Sequence, residues 1–416
     1  MLLSYYLHSF VPNISVSYTP TNLFINVYVP MAFECDAILK AILACSATHL
    51  AKTAFDSADR ERFLAVSLQY QRHCHHFLKQ RISLDGHLQR DALEATAIIL
   101  LLVGLEVQSG AHTSKWVNQV DCVRHVIRES GGKSAFCRRS WEATAIYGHF
   151  LYHDVMSLLM DGVVGRDGTD YADAVAEVAG ESPAPLEEAE APWAKYLPAE
   201  VRPSAAGSGI SVPSDYAFDA VHPLLGLSKS LFVLMQKIRH VKPIQQEGGR
   251  RIFNPTDNQL FLELEREISS IRFDICPSGE ASMRMDTTTR LDLVILAETY
   301  RFAALILLYR RSCMHREQIT ALARHIITMA GRITEGNAAE AGLTYPLFLA
   351  GAELAEEDDI VSCATRLKRI RERVKVMNIQ AVEEVLQEVW RERLNGGEYR
   401  DWETVLRNWD WVINLG

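Results

Sequence analysis

The sequence predicts an all-α protein, a large multi-helical bundle or shell built in two helical halves. Apolar residues recur at helical spacing along nearly the whole chain, and no stretch keeps the two-residue alternation of a half-buried strand. Hydrophobic residues make up 48% of the 416 residues, which is enough to bury a large core. A segment rich in acidic residues, proline and glycine separates the two halves.

Residues 1–160 form the predicted N-terminal helical half. The segment 37–50 has a wide apolar stripe, and its small residues let a neighbouring helix approach closely. The segment 92–107 is apolar on nearly all sides, as is typical of a helix enclosed by others. Further helices are predicted at 58–81, 114–129 and 141–160.

Residues 161–215 form a predicted disordered insertion. This segment contains six of the 14 prolines and six of the 23 glycines, and no apolar stripe that would bury well. Its three basic and eleven acidic residues give it a net charge of −8, so the rest of the chain carries only about −1 of the total of −9. Such a composition does not offset the entropy lost on ordering.

Residues 216–416 form the predicted C-terminal helical half, with helices at 223–241, 257–271 and 291–311 and shorter ones beyond. The segment 344–353 is apolar, and an acidic run at 356–359 follows it. Six basic residues then share one predicted helix with an apolar stripe: Arg366, Lys368, Arg369, Arg371, Arg373 and Lys375. Acidic residues at the start of a helix and basic residues at its end complement the helix dipole.

The composition excludes several classes of protein. The net charge of −9 and the pI near 5.9 argue against a dominant phosphate-binding surface. The eight cysteines include no CxxC pair, which excludes zinc ribbons and thioredoxin-like sites and favours a reducing compartment. The N-terminus lacks the features of a secretory signal, and the strongest apolar run, 97–105, is about half the ~20 residues that a membrane-spanning helix needs.

Two motifs resemble binding sites but favour a structural interpretation. The fragment Gly131-Gly132-Lys133-Ser134 lacks the first glycine of a phosphate-binding loop and follows a helix, so we predict a helix end with glycine in the left-handed conformation. The cluster His73-Cys74-His75-His76 offers half of a metal site at most, because no partner pair at ligand spacing exists. A polar, partly exposed helix face is the prediction there.

The sequence also gives no support for an enzyme active site or a nucleic-acid-binding surface. The chain contains no GxSxG, HExxH or GxGxxG motif. The run Glu356-Glu357-Asp358-Asp359 resembles a magnesium-diphosphate site, but it is better explained as the acidic start of the basic helix. The basic residues of that helix have no interleaved aromatic residues to stack on bases, so they predict a charged, solvated face that would dock an acidic partner segment. No catalytic residue, metal ligand or cofactor-binding residue is predicted, and no cofactor.

Several fragments, taken in order, resemble the regulatory domain of fungal-specific transcription factors. The early ones are Tyr5-Tyr6 with Val11, Asn22-Leu23-Phe24, the segment 41–50, the segment 95–101, and Trp116 followed by His125 and Gly131-Gly132. The later ones are the segment 298–309, Tyr345-Pro346-Leu347-Phe348 with Gly351, Trp390, and Asp401-Trp402. The resemblance covers nearly the whole chain except the insertion.

The resemblance implies a transcriptional regulator located in the nucleus, or in nucleus and cytoplasm, that controls a metabolic or secondary-metabolite gene set. Members of that family carry an N-terminal six-cysteine zinc cluster that contacts DNA, and this sequence has none. We therefore expect DNA contact only indirectly or through a zinc-cluster segment outside this sequence. The expected partners are a second copy or a relative in a dimer, the transcription machinery, and a small-molecule effector; no membrane partner is expected.

Two other hypotheses remain open at this point. One is a helical enzyme of a secondary-metabolite pathway, and the other is an interaction module that forms heterodimers with a full-length factor. The C-terminal tryptophans bear on the second hypothesis, since they either cover the edges of the core or anchor an interface: Trp390, Trp402, Trp409 and Trp411.

Overall fold

Helices form nearly all of the regular structure, so the all-α prediction is confirmed. The computed structural model describes residues 1–16, 22–81, 92–160, 163, 219–222, 227–241, 246–247, 250–251, 255–274, 286–312, 316–394 and 401–415. Apart from Val163, the predicted disordered insertion at 161–215 lies outside the described residues.

The N-terminal part begins with short helices and continues with long ones. The α-helices are α1 (Leu2–Tyr5), α2 (Val11–Ile14), α3 (Val29–Glu34), α4 (Asp36–Thr53), α5 (Ser57–Arg81), α6 (Ala92–Ser109), α7 (Lys115–Glu129), α8 (Gly132–Cys137) and α9 (Trp141–Ser157). Two π-helical turns, Tyr6–Phe10 and Phe24–Tyr28, and one 3₁₀ turn, Leu158–Met160, extend them. Helix α4 packs between α5 and α6, and α6 also contacts α7 and α9.

The C-terminal part contains eight α-helices within the described residues. They are α10 (Lys229–Ile238), α11 (Pro255–Ser270), α12 (Thr287–Ser312), α13 (Arg316–Ala330), α14 (Thr344–Gly351), α15 (Glu357–Val374), α16 (Asn378–Leu394) and α17 (Trp402–Trp409). A 3₁₀ segment, Ala338–Leu343, leads directly into α14. Helix α12 packs against α13 and α14, while α14 also contacts α15 and α16.

Short strands, which the sequence analysis did not predict, accompany the helices. They are β1 (Asp219–His222), β2 (Leu227–Ser228), β3 (Gln246–Glu247), β4 (Arg250–Arg251) and β5 (Phe273–Asp274). Strand β1 pairs antiparallel with β2 and parallel with β5, and β3 pairs with β4. Each strand is only two to four residues long, too short to produce a recognisable alternation of apolar and polar residues.

Helix α6 is the most deeply enclosed long helix of the N-terminal part. By length and composition it would also suit a membrane span, but 72% of its residues are buried inside the protein. Beside it, burial raises the pKa of the Cys45 thiol to about 12. This thiol therefore behaves as a small apolar group.

The two helical parts contact each other directly. His49 Nε2 of α4 lies 3.1 Å from the carbonyl oxygen of Val374, and the amide of Met377 donates to the carbonyl of Gln108 at 3.3 Å. The amide of Val412 donates to the carbonyl of His112 at 2.8 Å. We call these contacts the seam; the division of the chain into halves at 160 and 216 stays a prediction.

Gly110, at the end of α6, provides a test of the seam. Its φ is +68°, and a Cβ atom built there would lie 2.6 Å from Cβ of Met377 and 3.0 Å from the Met377 backbone. We expect Gly110→Ala to lower the free energy of unfolding by about 2 kcal/mol or more, because the left-handed conformation alone costs roughly 1–2 kcal/mol and Met377 must also move. Urea denaturation measures the loss.

Two other glycines serve as controls for that substitution. Gly104 lies inside α6 with open space around its Cβ position, so Gly104→Ala is expected to be neutral or to stabilise by up to about 1 kcal/mol. Gly132 has a φ of +76° with nothing near, so Gly132→Ala isolates the conformational part of the cost. Equal losses at Gly110 and Gly132 would contradict a steric role for the seam.

Candidate functional site

Helix α14, which carries the Tyr-Pro-Leu-Phe fragment, lies in the core of the C-terminal part. All eight of its residues are buried. The ring of Tyr345 stacks on Tyr300 of α12, with 5.3 Å between centroids and 4° between planes. Phe348 meets Trp402 edge to face at 5.2 Å. The apolar stretch is therefore a packing centre to which the surrounding helices are attached.

The C-terminal end of α14 is closed by side chains of α16. The indole nitrogen of Trp390 donates to the carbonyl of Gly351 at 2.8 Å. Arg393 donates to the carbonyls of Ala352 and Leu354, which lie just beyond the last residue of α14. A Cβ at Gly351 would lie 3.0 Å from Leu386, so glycine allows α16 to approach. These contacts fix α16 relative to the core.

A charge network joins α12 to the chain around α17. The guanidinium of Arg310 bonds to Glu353, to Asp401 at 2.6 Å and to Glu403 at 3.3 Å. It also lies over the ring of Trp402, 5.2 Å from the centroid. Burial alone would lower the pKa of Arg310, and the carboxylates reverse that effect, so the pKa is raised. Asp401-Trp402 therefore has a structural role in this network.

A second network corrects the prediction of a solvated face for the basic helix α15. Glu340, only 3% exposed, forms ion pairs with Arg366 at 3.0 Å and with Arg373 at 3.1 Å. Arg369 pairs with Glu335, and Arg371 pairs with Glu383 at 3.1 Å. Arg366 is buried because its partner carboxylate lies inside the protein. Much of the basic run is thus neutralised within the chain, and only Lys368, Arg369 and Lys375 stay exposed.

A groove with a volume of about 470 Å³ lies between α15 and α16. Ala364, Thr365, Lys368 and Arg371 form one wall, and Gln380, Glu383, Glu384, Gln387 and Trp390 form the other. Burial raises the pKa of the Glu383 carboxyl, and Arg371 and Lys368 oppose that rise. The groove presents cations on one wall and carboxylates on the other, with an indole ring at one end.

The histidine cluster of α5 does not converge into a metal site. The Cys74 thiol is buried and donates to the carbonyl of Ala37, while His73 pairs with Asp36 at 3.2 Å and His76 bonds to Gln80 at 2.9 Å. Among the described residues, no three His, Cys, Asp or Glu side chains are arranged to hold a metal ion.

The acidic run lies at the exposed start of α15, as its interpretation as a helix start predicts. Arg324 of α13 pairs with Glu356 at 3.3 Å and with Asp359 at 3.0 Å. At the other tested motif, Gly131, two residues after the last residue of α7, has a φ of +96°, which confirms the left-handed helix end.

The four C-terminal tryptophans divide into two groups. Trp390 and Trp402 are buried, whereas Trp409 is 36% exposed. Trp411 stacks on His112 at 3.6 Å between centroids and meets Trp409 edge to face at 4.8 Å. The first pair therefore covers the core, while Trp409 lies at the surface beside the seam.

The groove and the two charge networks, around Arg310 and around Glu340, were not predicted from the sequence. The groove depends on how α15 and α16 are placed side by side, which no local pattern encodes. The buried carboxylate Glu340 lies in a small-residue segment without periodicity, so the only available signal was the excess of arginine over acid on the buried face of α15.

Comparisons with known proteins agree with the resemblance. The transcriptional activator protein UGA3 of Saccharomyces cerevisiae is 21% identical over 434 residues, which cover 100% of this chain and 77% of that relative. No solved structure matches the chain significantly. The profile of the fungal specific transcription factor domain matches residues 1–416. The chain therefore belongs to the fungal specific transcription factor domain family and is a transcription regulator rather than an enzyme.

Proposed function

We propose that this chain controls transcription of a metabolic or secondary-metabolite gene set in the nucleus, and that it receives its regulatory signal in the groove between α15 and α16. The groove itself supports the second part of this proposal, that the regulatory signal is received there. It combines a volume of about 470 Å³ with side chains of both charges and one aromatic ring. Such surfaces suit a polar partner segment or an effector with several hydrogen-bonding groups.

The position of the groove supports transmission of a signal. Trp390 lines it and bonds to the end of α14, so a ligand that displaces this ring acts directly on a helix of the core. Arg371 and Glu383 form an ion pair between the walls, so a charged ligand competes with an existing contact. Binding therefore has a structural route from the groove to the interior.

Transcript profiling tests the proposal. Deleting the gene is expected to change the transcripts of one coherent metabolic gene set. The double variant Lys368→Glu and Glu384→Lys exchanges charges between the groove walls, and we expect it to reduce the regulated response about tenfold, equivalent to about 1.4 kcal/mol of binding. Immunoblotting checks that protein abundance is unchanged, since Lys368 is exposed but Glu384 is partly buried and accepts a hydrogen bond from Gln380 at 2.9 Å.

Arg332→Glu is the matched control, since this exposed cation lies outside the groove. We expect it to leave the response intact. A deletion without effect on transcripts would refute the transcriptional part of the proposal. A normal response in the groove double variant would refute the role of the groove and leave the transcriptional part of the proposal intact.

A further inference from the structure

Four exposed basic residues lie where α7, α8 and α9 meet. Arg128 belongs to the last turn of α7, and Lys133 belongs to the first turn of α8. Arg138 and Arg139 follow α8 directly, and the guanidinium of Arg139 donates to the carbonyl of Ser130 at 3.0 Å, back at the end of α7. Helix α8 has six residues and is about 9 Å long, so these positions are close together. We call the four side chains the α8 patch: Arg128, Lys133, Arg138 and Arg139.

The α8 patch keeps its positive charge. Within the described part of the chain, none of its four side chains forms an ion pair. The ammonium of Lys133 lies 5.7 Å from the ring centroid of Tyr147, which does not neutralise it. Two acidic residues lie beside the patch, Glu129 and Glu142, so four positive and two negative charges leave a net charge of +2. Trp141, 42% exposed, adds an apolar surface at the edge.

The same chain carries an acidic counterpart to the α8 patch. Residues 161–215, which we call the acidic segment, contain eleven acidic and three basic residues, a net charge of −8. Near its start acidic residues recur every three or four positions: Asp167, Asp170, Asp173 and Glu177. The two features are therefore complementary in charge.

The acidic segment is long enough to reach the α8 patch. Helix α9 begins at the patch, and with the 3₁₀ turn after it places Met160 about 30 Å away. An extended chain covers up to about 3.3 Å per residue, so roughly ten residues span that distance. Asp170 and the acidic residues after it can thus contact the patch.

Attachment to the same chain favours the acidic segment over an acidic region of another protein. A linked segment meets its binding site at an effective concentration on the order of millimolar. Attraction between exposed charges falls off over a Debye length of about 8 Å at physiological salt, so a weak site of this kind depends on such proximity.

We propose that the acidic segment docks on the α8 patch of its own chain. Carboxylates of the segment pair with the arginines and the lysine of the patch, and Trp141 contributes apolar contact at the edge. This intramolecular contact goes beyond the proposed function and does not depend on it.

Carbodiimide cross-linking of the purified full chain, read by mass spectrometry, tests the contact. The reagent joins a lysine amine directly to a carboxylate that touches it, and Lys133 is the lysine of the patch. At low salt we expect Lys133 to link to the acidic segment about tenfold more than Lys79 does, the factor that about 1.4 kcal/mol of attraction gives. Lys79 is the matched control, an exposed lysine on α5. At about 1 M salt, where the Debye length falls to about 3 Å, the excess should disappear.

Charge reversal tests the patch itself. The double variant Arg128→Glu and Arg138→Glu changes two exposed guanidinium groups that form no ion pair with a described residue, so the fold is expected to persist. We expect the links between Lys133 and the acidic segment to fall about tenfold, because two attractions become repulsions. Circular dichroism checks that the variant stays folded.

The double variant Arg60→Glu and Arg62→Glu makes the same change of charge on exposed residues of α5 and should leave the links at Lys133 intact. Equal linking of Lys133 and Lys79 at low salt would overturn the proposal, and so would links that survive reversal of the patch. Links that join two chains, seen as a dimer on a denaturing gel, would also overturn it, because the segment would then come from another copy.

Discussion

Replacing Arg310 by methionine is expected to lower the free energy of unfolding by about 3–5 kcal/mol, the usual cost of breaking a buried charge network by removing one partner. Methionine retains most of the apolar stem but not the guanidinium that bonds to Glu353, Asp401 and Glu403. The carboxylate of Glu353 is only 8% exposed, so little water can replace the charged hydrogen bond that it loses with Arg310. Urea denaturation followed by tryptophan fluorescence measures the loss, since Trp402 lies against Arg310.

Arg324→Met is the control for this prediction. Arg324 also pairs with two carboxylates, Glu356 and Asp359, but its side chain is half exposed. Solvent screening limits such pairs to about 0–1 kcal/mol. Similar losses for the two substitutions would show that burial does not determine the strength of the Arg310 network.

The parts of this fold that are predictable from sequence are those with a strong local pattern. The apolar run of α6 and the stretch that becomes α14 lie in the core, and Gly131 adopts the left-handed conformation that a helix end requires. The helices in the first 34 residues are harder to predict from sequence. Two π-helical turns, Tyr6–Phe10 and Phe24–Tyr28, interrupt the regular helical spacing there. The short strands have too few residues to show any period.

The charged residues of α15 show where local pattern is insufficient. Arginines at helical spacing give the same sequence pattern whether their side chains face water or pair with a buried carboxylate. Arg366 is buried because Glu340, in a different segment, lies beneath it. The groove is equally non-local, since its walls belong to separate helices. Function was accessible from sequence because family resemblance depends on the order of fragments rather than on their contacts.

Glu340→Gln is expected to lower the free energy of unfolding by about 3–5 kcal/mol, because it removes the one carboxylate between two largely buried guanidinium groups. Glutamine keeps the size of the side chain and one oxygen for the amide of Gly336, which donates to Glu340 at 3.0 Å. Its amide nitrogen, however, must face either Arg366 or Arg373. Burial already lowers the pKa of Arg373, an effect that Glu340 opposes, so without the carboxylate the buried Arg366 and the partly buried Arg373 both lose their counter-charge.

A double substitution that removes both charges of the Glu340–Arg366 ion pair distinguishes two costs. One is the loss of attraction between the charges, and the other is the cost of burying a cation without a partner. The double variant Glu340→Gln and Arg366→Met should be more stable than the sum of the two single losses by about 1–3 kcal/mol, since residues in one network couple by such amounts. A double-mutant cycle in urea measures this coupling. Strict additivity would mean that Glu340 and Arg366 act independently, and other contacts, such as the ion pairs of Arg373 with Glu340 and of Arg369 with Glu335, would then attach α15 to the segment before α14.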